Sequence, residues 1–225
     1  MKYKNRHIHI ACDGGAATGK STGAKMISKK YKLKFLSSGL LYRYAAYLII
    51  KFKPKNKISF LKLKFSNLNY SKLENINLHS PIISEYSSVI AKVNEIRKIL
   101  KKYQINFSKK YKNCCLEGRD ISTKILPKSD IKFFFKCSLK IASKRRYKEL
   151  RIKDSKIKLK DVKKALRIRN ISDTRRKNSP LLKHRDSVEI DTGKLDKSAM
   201  VLKMSKYVER AIKLKYGNWT RIKNN

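Results

Sequence analysis

The sequence predicts an α/β fold in which a parallel sheet is covered by helices on both faces. Three observations carry that reading. Short apolar runs of strand length alternate with longer stretches of helical spacing. Hydrophobic residues make up 41% of the 225-residue chain, enough for a buried core in one compact domain with inserted flaps or in two small domains. A glycine-rich loop joins the first apolar run to the first helical stretch. Strands separated by helices build parallel sheets.

The elements follow in order. Residues 7–12 (HIHIAC) form an apolar-rich run ending in Asp13 and two glycines, which suits a buried strand feeding a tight turn. Helical spacing runs from residue 20 to 30, with Ala24, Ile27 and Met26 inward. Residues 33–36 read as a second strand, and a helix spans about 39–51 until Pro54 ends it, because proline cannot extend the ladder. Residues 55–80 are rich in Lys, Asn and Ser, and their scattered Leu, Ile and Phe select no element. Helical spacing returns at 82–90 and 96–107; residues 113–116 and the Phe-rich 131–137 read as core strands. A helix over 139–151 ends in a basic cluster, and a charged stretch to about 179 holds one more near 159–171. Residues 187–191 are a last strand and 197–214 the closing helix. Residues 52–111 and 144–180 fit the alternation poorly; polar, basic and long, they read as inserted mobile pieces.

The net charge of +42 raises the question of a nucleic-acid or anionic-membrane partner. The lysines do not cluster, however, and Asn, Ile, Tyr and Ser are abundant beside them, a pattern of drift towards A/T-rich codons rather than of a selected patch. No specific nucleic-acid partner is expected, only non-specific polyanion binding. Cys12, Cys114, Cys115 and Cys137 lie in apolar runs without metal-ligand spacing, and the adjacent pair points to opposite faces of a strand. They read as reduced core residues. The longest apolar run, residues 45–50, is too short to cross a bilayer, and the N-terminus has no secretory signal. A cytoplasmic, monomeric protein without a membrane partner is expected.

Gly14-Gly15-Ala16-Ala17-Thr18-Gly19-Lys20-Ser21 fits G-x-x-x-x-G-K-[ST], followed by Thr22. In such a loop the glycines let backbone N–H groups turn onto a phosphate, and the next helix aims its positive end there. Lys20 would reach the β- and γ-phosphates, and the Ser21 or Thr22 hydroxyl would serve Mg²⁺. The loop alone leaves GTPases, ATPases, helicases and small-molecule kinases open. The guanine-reading N-K-x-D element of GTPases is missing from the sequence. A motor ATPase needs an apolar strand ending in a carboxylate; Cys114-Cys115-Leu116-Glu117 serves loosely, but the chain is short for a motor.

Further elements narrow the choice. Ser37-Ser38-Gly39-Leu40-Leu41-Tyr42-Arg43 resembles the D-[ST]-G-x-x-Y-R element of bacterial cytidylate kinases. Glu117-Gly118-Arg119-Asp120 resembles their D-G-R-D segment, and Arg169 to Arg176 (RNISDTRR) their R-D-x-x-D-x-x-R segment, with Pro180-Leu181 following. The short strand Val188-Glu189-Ile190 running into Asp191-Thr192 completes the order across about residues 8–195. Ala17 stands in place of a loop glycine, Ser37 of an aspartate, His79 of an arginine and Asn170 of an aspartate.

The resemblance implies a three-layer P-loop kinase fold that transfers the γ-phosphate of Mg²⁺-bound ATP directly to CMP or dCMP. It implies ATP contacts at residues 14–22 and Arg145, with Lys20, Arg119, Arg169 and Arg176 catalytic. Arg43, Arg119 and Arg176 would converge on the acceptor phosphate, where guanidinium forks stay charged and bind bidentately. Asp173 would accept from ribose hydroxyls; Ser88, Arg97 and Asp120 would read the cytosine edge, with Ser38 and Glu117 also on the substrate. Asp13 either orients the loop or the metal's waters, or only caps the turn. Residues 1–51, 112–143 and 181–225 would form the core, 52–111 a monophosphate-binding insert and 144–180 a lid carrying Arg145, Arg146, Arg169 and Arg176. Two alternatives stand beside this: another small P-loop kinase, of adenylate, guanylate or shikimate type, or a basic nucleic-acid-binding ATPase.

Overall fold

The computed structural model describes residues 7–152 and 154–217. The outermost residues of the expected core segments, 1–6 and 218–225, and Lys153 of the expected lid lie outside them. The centre is β1 (Ile8–Gly14), flanked by β3 (Asn113–Gly118) and β4 (Ile131–Lys136), with β2 (Lys34–Ser37) and β5 (Val188–Asp191) at the edges. All neighbours pair in parallel. The register sets Asp13 opposite Gly118 and Ser37 opposite Glu117, so three strands end together. In an open parallel sheet that carboxyl edge is where ligands bind.

The strands are apolar on both faces because both are covered. On one side Ile10, Cys12, Cys115, Phe133 and Phe135 pack against α1 (Lys20–Lys30) and α8 (Lys197–Tyr216) through Ala24, Ile27, Met200, Met204 and Val208. On the other, Ala11, Cys114 and Leu116 meet α2 (Ser38–Phe52) through Leu41 and Ala45. Cys114 and Cys115 thus enter opposite cores, as alternation requires. Cys137 instead stands half-buried beyond the end of β4, outside the core expected for it.

Residues 55–80, which the sequence leaves unassigned, contain α3 (Lys57–Ser66) and a 3₁₀ turn over Tyr70–Asn75. Asn56 caps α3 by accepting from the Ile58 and Ser59 amides. Then come α4 (Pro81–Ile90), capped by Ser80, and α5 (Asn94–Lys110). Leu61, Phe65, Leu73, Leu78, Ile83, Ile96, Leu100 and Phe107 are buried in the same core as Leu36 and Leu116. In the sequence these apolar residues lie scattered among Lys, Asn and Ser, and α3 leaves Leu63 exposed while burying Leu61 and Phe65, so no clean periodicity marks the segment.

After β3 the chain makes a π-helical turn over Ile121–Ile125, which no sequence signal announces. Asp13 holds it: its carboxylate accepts from the Ile121 amide at 2.8 Å, the Ser122 amide at 2.7 Å and the Ser122 hydroxyl at 2.6 Å. Burial pushes this carboxyl up to about 6 against those hydrogen bonds. Asp13 thus ties the end of β1 to the turn after β3, a partner that neither sequence reading of it named. Finally α6 (Leu139–Arg151) and α7 (Leu159–Arg175) share a small cluster, Ala142, Val162 and Leu166, with Ala16 of the glycine loop.

Candidate active site

The glycine loop is shaped by positions that exclude side chains. A Cβ on Gly14 would stand 2.5 Å from the Phe135 carbonyl oxygen. Gly19, at φ +79°, turns the chain into α1 in a left-handed conformation that suits glycine. Ala17 takes a left-handed φ of +56° although it carries a side chain. The Thr18 hydroxyl donates to the Gly15 carbonyl at 3.0 Å, and Thr192 donates to the Thr18 carbonyl at 2.8 Å. No side chain caps α1. Its first N–H groups lack intrahelical partners, and with the dipole they form an anion site.

Lys20 begins α1 and is buried, with Nζ 3.2 Å from Glu117 Oε2. Burial, and the crowding of Arg119 and Arg169, pull this ammonium down to about 8, against the attraction of Glu117. Glu117 stays below the usual carboxylate range despite burial, because Lys20 and the Ser37 hydroxyl stabilise its charge. Ser37 donates to Glu117 Oε1, caps α2 at the Leu40 amide, and gives its own N–H to the Tyr70 hydroxyl at 2.7 Å.

The arginines gather around the same edge. Arg119 Nε donates to Asp173 Oδ2 at 2.7 Å, and Arg176 Nη1 to Asp173 Oδ1 at 3.3 Å, so one carboxylate ties two cations. Arg176 is further fixed by the Ser179 carbonyl at 2.6 Å. Asp173 lies below its ordinary range because Arg119 beside it outweighs the cost of burial. Burial, and then the neighbouring Arg119, pull Arg169 down to about 10. Arg145 clamps Thr192 through its hydroxyl at 2.9 Å and carbonyl at 2.7 Å. Arg43 Nη1 stands 2.8 Å from His79 Nδ1, where arginine can only donate.

A single cavity of about 1040 Å³ is lined by the loop from Ala16 to Thr22 together with Ser37, Arg43, Glu117, Arg119, Arg145, Arg146 and Arg169. Behind it Arg97 and Asp120, both buried, form an ion pair at 2.5 Å, with Arg97 also on the Ala91 carbonyl and over the Tyr42 ring. Asp173 and Arg176 bridge the two ends. Ser38 is buried at the start of α2, where Gly118 lets it approach: a Cβ there would lie 3.1 Å from the Ser38 Cβ. Ser88 keeps its hydroxyl on the Ser84 carbonyl of its own helix and is not part of the cavity lining. Tyr70, Thr192 and His79 occupy the site without being foreseen as site residues. Thr192 had a signal in its place after the last strand and His79 in standing where the resemblance expects an arginine; Tyr70 had none.

Ser21 and Thr22 are exposed on the cavity wall, and with Glu117 they offer hard oxygen donors of the kind Mg²⁺ takes. No group of three metal-binding side chains occurs among the described residues.

What this cavity supplies is positive charge at fixed positions beside a phosphate-cradling loop, and a protein so built is a P-loop phosphotransferase. The family model described as cytidylate kinase matches residues 10–210. A cytidylate kinase from Clostridium tetani is 34% identical over 225 residues, covering 95% of this chain and 99% of that protein. One from Clostridium botulinum is 35% identical over 216 residues, covering 91% and 99%. This chain belongs to the cytidylate kinase family and is a nucleoside monophosphate kinase. A crystal structure of an uncharacterized protein from Eubacterium ventriosum aligns with a TM-score of 0.55 at 18% identity, covering 91% and 99%, a likeness of fold.

Proposed function

We propose that the cavity brings Mg·ATP and CMP or dCMP together and transfers the γ-phosphoryl group in line to the acceptor phosphate. The observation that carries this is the gathering of Lys20, Arg43, Arg119, Arg145, Arg146 and Arg169 on one cavity. Two polyanions must meet, and fixed cations offset their repulsion and the charge of the transition state.

The loop amides of residues 14–19 would cradle the donor phosphates, with Lys20 on the β- and γ-oxygens. Magnesium, held by Ser21 and the phosphates, would neutralise charge on those oxygens. Arg145 would sit beside the donor nucleotide. Arg43, Arg119 and Arg176 would take the acceptor phosphate, and Arg169 the transferred group. Arg119 and Arg176 already hold each other's orientation through Asp173, which would exchange part of that contact for a ribose hydroxyl. The Arg97–Asp120 pair offers a donor fork and a carboxylate to the cytosine edge. Residues 52–111 form the monophosphate-binding insert and 144–180 the lid, which excludes water on closing so that ATP is not hydrolysed. Asn170 of that lid reaches the loop, accepting from the Ala16 amide at 3.2 Å. Among the described residues no helix is long and apolar enough to cross a membrane; we place the enzyme in the cytoplasm, as a monomer.

A coupled assay of ADP release with Mg·ATP and each of CMP, dCMP, UMP, AMP and GMP tests the reading, with Lys20→Ala as blank. CMP and dCMP should lead. If another monophosphate leads, the base end is misassigned. ATPase stimulated by RNA with no acceptor phosphorylated would overturn the kinase reading.

A further inference from the structure

Outside the catalytic cavity the described residues surround a second hollow of about 1510 Å³ between α3, α5 and the start of β2. It is larger than the cavity proposed to take two nucleotides, about 1040 Å³, and larger than the roughly 300–1,000 Å³ of a single-ligand pocket. Its inner wall is aromatic. Tyr103 meets Phe65 edge-on at 5.9 Å between centroids, Tyr70 meets Phe107 at 5.9 Å, and Phe107 lies 4.6 Å from Tyr111.

Its rim is cationic. Lys34, Lys62, Lys98, Lys102 and Lys110 are all exposed, and Glu95 is the one carboxylate in the lining. The lysines that form ion pairs among the described residues, Lys20, Lys136, Lys183 and Lys215, lie elsewhere. Scattered along the sequence, the five rim lysines meet only in the fold: Lys98 and Lys102 stack one turn apart on α5, facing Lys62 on α3 across the hollow.

The rim ammonium groups form no ion pair among the described residues, though Lys34 and Lys110 stand over the Tyr111 ring at 5.8 and 5.5 Å; rings flanked by such groups are the chemistry of single-strand binding, in which bases stack on aromatic side chains and lysines neutralise phosphates. No arginine lines the hollow, so it holds no bidentate fork for reading a base edge. We propose that this groove binds a segment of single-stranded nucleic acid several nucleotides long, without sequence preference, its phosphates on the rim lysines and its bases against Tyr103 and Tyr111. Phe35 and Tyr70 wall both hollows, so the bound strand would lie back to back with the kinase site.

The test is fluorescence anisotropy of a labelled 12-mer of uridine against the full chain, from 50 to 300 mM salt. Lys62→Glu/Lys98→Glu/Lys102→Glu is compared with Lys206→Glu/Arg210→Glu/Lys213→Glu, an equal charge change on exposed positions of α8. Far-ultraviolet circular dichroism and Tm, which the two sets should leave alike, certify folding. The groove triple should weaken binding at least about tenfold more than the α8 triple and flatten the salt dependence by about 0.7 of a log unit per lost phosphate contact. Tyr111→Ala should cost about fivefold or more. Equal losses in the two triples would reduce the binding to general surface charge and overturn the proposal. So would full activity of Tyr111→Ala in binding with heparin competing as well as the oligonucleotide, since a polyanion without bases would then satisfy the groove.

Discussion

The two ends of the site, one proposed to take phosphates and the other the base, are balanced in opposite ways. At the phosphate end Lys20, Arg43, Arg119 and Arg169 crowd together with Glu117 and Asp173 too few to match them, and burial first, then this crowding, pulls Lys20 and Arg169 to about 8 and about 10. At the base end Arg97 and Asp120 close on each other at 2.5 Å, one cation for one anion. The first arrangement is under electrostatic tension that an arriving phosphate relieves. The second is already satisfied, and a base must compete with it. On the proposed assignment, the phosphate end should control turnover, and the base end both acceptor affinity and stability.

The largest break in that contrast is Lys20→Met, which keeps volume and removes charge. The rate constant kcat for CMP should fall about a hundred- to a thousandfold, the scale for losing one transition-state cation, with the far-ultraviolet circular dichroism unchanged. Arg97→Ala should behave otherwise. It leaves Asp120 buried without its partner, which costs about 3–5 kcal/mol and, for a chain of this size, about 10 °C in Tm. Its KM for CMP should rise more than its kcat falls. If both variants lowered kcat alone, the division between the two ends would be wrong.

A pH profile sharpens the contrast further. Lys20 must be an ammonium to meet phosphate, and in the free enzyme its pKa is about 8. So kcat/KM for ATP should be level below pH 8 and fall about tenfold per unit above it. A bound phosphate raises the Lys20 pKa, so kcat, which reports the complex, should stay level to higher pH. Tripolyphosphate, which offers charge without a base, should stabilise the protein through the same tension. At a hundred times its Kd it adds about 2.7 kcal/mol, or roughly 5–10 °C in Tm. Lys20→Met should lose most of that shift and Arg97→Ala little.

The same division governs what the sequence discloses. The phosphate loop is contiguous, and its glycines answer steric demands that can be read locally, as at Gly14 and Gly19. The core strands are visible because burial on both faces makes them continuously apolar. The base end is assembled from α5 and the β3 turn, whose residues meet only in space; residue pattern alone does not pair Arg97 with Asp120, and only family resemblance points there. Tyr70 lies in a segment where buried Leu61, Phe65 and Leu73 are interspersed with lysines and the exposed Leu63, so neither α3 nor the 3₁₀ turn shows a period. Ser37 reads as a lost aspartate, yet in space it is a donor to Glu117.

The smallest effect belongs to Ala17, where the loop departs from glycine at a left-handed φ of +56°. A side chain there costs about 1–2 kcal/mol. Against this, glycine would add unfolded-state entropy of about 0.5–1 kcal/mol. It would also lose part of a methyl group, worth about 0.8 kcal/mol when fully buried, that packs beside Ala142, Val162 and Leu166. The contributions nearly cancel, so Ala17→Gly should move Tm by less than about 3 °C. Ala17→Val should destabilise clearly, because a β-branched residue is a genuine outlier at positive φ. Should Ala17→Gly instead lose about 2 kcal/mol or more, the methyl contact outweighs the strain, and the loop is braced against α6 and α7 rather than merely tolerating its alanine. The phosphate end would then be stiffened by packing as well as loaded by charge.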